Sequence, residues 1–159
     1  MAYINAAPGS THEVVLSITA QDETDPNNPV DLGSAMVVPA LTDVTLSNAV
    51  EEYTWTQLDE TAKLKLPTTS ENSLTGNIVV DPLTYFGDVT DLDDGSAPKL
   101  GFFGLTNNKV LVSFTINVGA DNLSGFGYVT GLAPAVSSDA TPWVSPFTLA
   151  ISGELVLNA

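Results

Sequence analysis

The residues able to do chemistry in this chain are few, and their spacing argues against a catalytic centre. His12 is the only histidine. It precedes Glu13 at the edge of the first strand-like segment, and it reads as a surface histidine rather than the base of a Ser-His-Asp triad. No serine sits in a Gly-x-Ser-x-Gly elbow. Carboxylates come in adjacent pairs: Glu51–Glu52, Asp59–Glu60 and Asp93–Asp94. A glycosidase needs two carboxylates facing one cleft. Neighbours on a strand point to opposite faces, so Glu51 and Glu52 do not share one. The run Asp88 to Gly95 resembles a calcium loop but misses the EF-hand register. With Gly95 at the sixth position, Thr90 and Leu92 fall at the first and third, and Gly101 falls where the closing glutamate belongs. A helix end and a polar turn account for the Asp88–Asp94 run, with an irregular Ca²⁺ site as the alternative. Gly101-Phe102-Phe103-Gly104 and Gly125-Phe126-Gly127 lack the lysine and the strand-to-helix setting of a phosphate cradle. They read as close packing between strands. The expectation is a non-enzyme with no cofactor and no metal.

Charge narrows the partners. Against 19 acidic residues stand Lys63, Lys65, Lys99 and Lys109, with no arginine, for a net charge of -15. Such a surface repels phosphate backbones, so adhesive nucleic-acid binding is disfavoured. A wall that DNA passes without sticking is compatible with the same charge. There are no cysteines, which excludes disulfides and thiolate metal sites. Met1 to Ser10 has neither a basic residue nor an apolar run, so no signal peptide is expected there. No stretch approaches the ~18 apolar residues of a membrane span.

The elements that would position any site are mostly strands. Of the 159 residues, 43% are hydrophobic, enough for one cored domain spanning 1–159. Strand patterns run over Glu13–Ala20, Leu41–Ser47, Val50–Leu58, Glu60–Leu66, Asn72–Val80, Lys109–Val118, Leu123–Leu132 and Pro146–Leu157. Leu100–Leu105 reads as a further strand, paired with the one that follows it. Gly76 and Gly153 suggest bulges. Asp81-Pro82 is a helix start, and one short helix is expected over 81–92. The candidate core is Trp55, Phe86, Phe114, Ile116, Phe147, Leu149 and Ile151. The fold class is all-β: a sandwich or barrel of two packed, mostly antiparallel sheets with one flanking helix. Residues 21–40 read as a long loop or arm, with a short extended piece at Ala35–Val38. Its length suggests a task.

From Asn72 onward the order of features resembles the major tail tube proteins of long-tailed, non-contractile bacteriophages. The likeness rests on the strand Leu74-Thr75-Gly76-Asn77-Ile78-Val79-Val80 leading into a short helix. It continues through the segment Leu123-Ser124-Gly125-Phe126-Gly127-Tyr128-Val129-Thr130-Gly131-Leu132. The acidic loop Ser137-Ser138-Asp139 and the last strand Phe147 to Leu155 complete it. Phe126 replaces a basic residue usual in that family. The resemblance implies a structural virion protein whose hexameric rings stack into a tube around a DNA channel. It implies self-assembly, with tape measure, terminator and tail tip proteins as further partners. DNA enters only as passing cargo, and no membrane is involved. The protein would reside in the virion tail after assembly in the host cytoplasm. Asp22, Glu23, Asp25, Pro26, Asn27, Asn28, Pro29 and Asp31 are then the inter-ring loop candidates. Asp43 and Glu52 are the lumen candidates. The alternatives are another virion assembly part, such as a capsid decoration or tail terminator protein, or a β-sandwich binding or adhesion module. The module would use Tyr53, Trp55 or Trp143 as its platform.

Overall fold

The computed structural model describes residues 15–38, 41–59, 61–88, 95–118, 121–139 and 142–158. His12 and the Asp91–Asp94 part of the acidic run lie outside them. The strands are β1 (Leu16–Asp22), β2 (Val30–Asp31), β3 (Met36–Val37), β4 (Leu41–Trp55), β5 (Leu64–Val79), β6 (Leu111–Val118), β7 (Asp121–Leu132) and β8 (Val144–Asn158). Helices α1 (Pro82–Phe86) and α2 (Ala97–Asn107) lie between β5 and β6.

The chain is predominantly β and antiparallel, as its alternation implies, and its strands are hydrogen-bonded in one continuous path. Its antiparallel order is β2-β1-β6-β7-β8-β5-β4, with β3 also on β1. The path is open, and β2 and β4 stand at its ends. Alternate residues of each strand turn inward. Leu16, Ile18 and Ala20 of β1 meet Val112, Phe114 and Ile116 of β6, Leu74 and Ile78 of β5, and Phe147 and Leu149 of β8 in one cluster. Of the candidate core residues, Phe114, Ile116, Phe147 and Leu149 lie in this cluster, and Ile151 packs against it half-buried.

The helices account for two corrections. Leu100–Leu105 is not a strand but part of α2, which starts with Pro98 in its first turn and sends Phe102 and Leu105 into the core. Three-residue spacing puts those two on one helical face. Gly101, at φ 61 and ψ 179, splits α2 into two helical pieces. The helix expected over 81–92 ends at Phe86. Asp81 caps it, accepting a hydrogen bond from the Thr84 N–H at 3.2 Å, and Gly87 stops it at φ 79. Within that single turn Tyr85 takes the inward position, and Phe86, one residue on, is 49% exposed. Phe86 therefore lies outside the core.

Bulges fall where the ladder changes pairing. Gly153, at φ 90, opens a three-residue excursion of β8 opposite Gly125, between the pairs Ser124–Val156 and Phe126–Ser152. No extra residue sits at Gly76. The extra residue is Thr42 on the facing strand, between the pairs Leu41–Ile78 and Asp43–Asn77.

Candidate assembly surfaces

Among the described residues, the far half of the β4–β5 hairpin is a surface with no partner outside the hairpin itself. The sequence patterns of Leu41–Ser47 and Val50–Leu58 merge into one 15-residue strand, and those of Glu60–Leu66 and Asn72–Val80 into one of 16 residues. β5 pairs with β8 only over Ser73–Val79. From Asn72 back to Leu64 it pairs with β4 alone, as a two-stranded ribbon. Residues 47–54 and 65–71 are exposed along both strands. An isolated ribbon of this kind is marginal in water, and its outer backbone groups on both edges are open to a further strand.

The ribbon kinks halfway. Register slips between the pairs Val50–Ser70 and Glu52–Pro67. Thr68 donates its hydroxyl to the Glu51 carbonyl at 3.1 Å, and Thr69 donates to the Glu51 carboxylate at 3.2 Å. Beyond the kink, Lys65 pairs with Glu52 at 2.8 Å. Both groups are exposed, so the pair adds at most ~1 kcal/mol. Tyr53 and Trp55 project from one side of β4 and stack, ring centroids 5.8 Å apart. Trp55 is half-buried by this local stack and takes no part in the main cluster. Leu58 at the turn is fully exposed.

The 21–40 segment is not one free loop. β2 folds back on β1 through the pairs Gln21–Asp31 and Asp22–Val30, and β3 pairs through Ser17–Val37 and Ile18–Met36. Gln21 donates to the Asp31 carboxylate at 2.7 Å. The Asp22 carboxylate accepts from the Thr24 hydroxyl and N–H, which hold its pKa below the ordinary carboxylate value. Asp25 accepts from the Asn27 N–H at 3.1 Å. Glu23 reaches across to β7, where the Tyr128 hydroxyl donates to it at 2.9 Å. That bond raises the Tyr128 pKa, because the neutral phenol is the donor. Asp22 to Pro29 otherwise form a compact exposed turn, with Asp25, Pro26, Asn27 and Asn28 at its tip.

A second open surface lies where α1 and α2 meet the end of β7. A cavity of about 380 Å³ is lined by Tyr85, Phe86, Phe103, Asn107, Leu132 and Pro134, among others, and none of its lining residues is charged. Phe86 and Phe103 stand 6.0 Å apart at its rim, and Phe103 is 52% exposed. Reading Leu100–Leu105 as a strand hides this cleft. Pro98 after Ser96 and the Phe102–Leu105 spacing are the signals that reveal it.

The outward face of the sheet carries rows of small hydroxyls, with Phe126 and Tyr128 between them. Ser17, Thr115 and Ser124 form one cross-strand row, and Thr45, Thr75 and Thr148 another. Asp43 sits at the margin of this face, accepting from the Asn77 N–H at 3.0 Å and the Asn77 side chain at 2.8 Å. Glu52 lies in the ribbon opposite Pro67, so the two lumen candidates are not brought together. Tyr53 and Trp55 share the ribbon, whereas Trp143 lies beside β8 and donates to the Ser137 carbonyl at 2.8 Å. No group of three metal-ligating side chains occurs among the described residues.

No protein-family model and no curated protein sequence matches the chain. Solved structures do match it, and they share its fold. The chain is similar to a component of the SPP1 tail tube at 14% identity and a TM-score of 0.64, covering 95% of this chain and 79% of that one. It is similar to a chain of the tail of an empty gene transfer agent particle with C6 symmetry, at 13% identity and a TM-score of 0.62, covering 91% and 96%. A third likeness is to the PVC sheath/tube terminator of an extracellular contractile injection system, at 13% identity and a TM-score of 0.54, covering 98% and 100%.

Proposed function

We propose that the chain is a tail tube subunit of a long-tailed bacteriophage or a related particle, a structural protein that works by self-assembly. The supporting observation is the pairing of a fold shared with tail tube components and a hairpin whose far half has no partner beyond itself among the described residues. In this reading six copies close into a ring, in keeping with the C6 symmetry of one similar tail. Rings stack, and their open edges find strands in neighbouring copies. The ribbon carries the contact along the tube, assisted by the exposed turn from Asp22 to Asp31. One face of the sheet lines the channel. The face with the hydroxyl rows suits that place, and Asp43 adds repulsion at its margin. Assembly takes place in the host cytoplasm, and the finished tube, in the virion tail, meets tape measure, terminator and tip proteins.

A second reading, a tube terminator, draws support from the likeness to the PVC terminator. Negative-stain microscopy of the purified protein across a salt series separates the two. A tube subunit gives filaments of variable length, a terminator gives single rings, and a protein that stays monomeric throughout overturns both readings.

A further inference from the structure

Two of the apolar surfaces left open among the described residues lie at opposite ends of the same strand. The hairpin head, with Tyr53, Trp55 and Leu58, is at the start of β5. The aromatic cleft, with Phe86 and Phe103, stands on the helices that follow its end. The twelve steps from Leu64 to Gly76, at ~3.3 Å each, put about 40 Å of strand between them. Within one copy, head and cleft therefore cannot meet.

We infer that the hairpin head of one copy docks in the aromatic cleft of the next, a head-to-tail contact directed along β5. Charge selects this pair of surfaces. Copies of a chain with net charge -15 repel one another almost everywhere. The cleft lining contains no charged residue. The head, residues 52–65, carries three carboxylates but also two of the four lysines, Lys63 and Lys65. Its Glu52 is already paired. Here two copies approach with little like-charge cost. The apolar content matches as well. Tyr53 is 60% exposed and Leu58 fully so, while the cleft presents aromatic faces and a cavity of about 380 Å³ to receive such groups. A contact between two different patches of the same molecule does not saturate in a pair. It propagates along one direction, so this inference rests on the tube reading and supplies its stacking contact.

The test uses the absence of native cysteines. In the L58C/F103C double variant, oxidation of assembled protein should give a ladder of covalent multimers on a denaturing gel. L58C alone should stop at dimers, and L58C/L157C, which places the second thiol on exposed β8, should give no ladder. A second measurement avoids the helices: Leu58→Asp, at an exposed turn, should leave the circular dichroism unchanged and raise the concentration needed for polymerisation about tenfold or more. Tubes that form without a ladder, an equal ladder in the control pair, or Leu58→Asp polymerising normally would each overturn the docking and leave the tube reading standing. Unmodified protein that forms neither rings nor tubes at any salt concentration overturns both.

Discussion

Gly87 and Gly101 meet backbone to backbone. A Cβ built on Gly101 would fall 2.5 Å from the Gly87 nitrogen, and one on Gly87 would fall 1.9 Å from the Lys99 carbonyl oxygen. Both residues have positive φ, so the junction of α1 and α2 demands glycine twice over. Gly87→Ala should cost about 2–4 kcal/mol, from the left-handed backbone and the clash together. Thermal unfolding would show it, and an unchanged Tm would mean that the helices are packed differently.

The aromatic residues divide by position rather than by type. Phe147 is buried against Phe102, ring centroids 5.7 Å apart, and Phe147→Ala should cost ~3–5 kcal/mol in chemical denaturation. Phe86→Ala, at a half-exposed site, should cost under ~1 kcal/mol in the same assay.

Trp55→Ala separates stability from assembly. Its ring packs mainly on Tyr53, outside the main cluster, so the monomer should lose no more than ~1 kcal/mol. Filament formation should fall sharply, and sedimentation beside a melting curve reads both. Deleting residues 52–65 and rejoining the strands with a two-residue turn should leave a folded monomer that does not polymerise.

The Tyr128–Glu23 bond gives an alkaline signature. Tyr128 has its pKa raised above the ordinary 10.0 by donating to Glu23. A raised pKa means that the bond's contribution is fully present below the unfolded value and is lost as pH climbs through the folded one. The 23–29 turn should therefore hold through neutral pH and loosen above about pH 10. Absorbance titration of the phenolate should show the shift for Tyr128, and Glu23→Gln should diminish it.

Salt should favour assembly. At 0.1 M ionic strength, charges more than ~10 Å apart are largely screened, and repulsion between copies of a -15 chain falls accordingly. Light scattering should rise from low to moderate salt. A fall would point to attraction between opposite charges as the driving force.

Much of this architecture is written in the residues. Alternation in Lys109–Val118 and Pro146–Leu157 marks strands whose inward positions carry Phe114, Ile116, Phe147 and Leu149. Asp81-Pro82 marks the start of α1. What escapes has physical causes. Six residues such as Leu-Gly-Phe-Phe-Gly-Leu satisfy a strand and a broken helix equally, because Gly101 interrupts the helical period just where it would show. The long hairpin reads as four short strands because its far half has no inner face to pattern. Polar residues lie on both sides, and Pro67 looks like a boundary. The order in which the strands join into one continuous path is a matter of which edges meet. Hydropathy carries no record of that.

Pro67 has one more effect. Lacking an N–H, it removes one backbone donor from β5 beside the kink at Glu51. Glu52, Lys65 and Glu71 add charge to the same margin. These are the devices by which naked strand borders resist indiscriminate mispairing. In the tube reading, such a border would hold off amyloid-like pairing until a correctly oriented neighbour arrives.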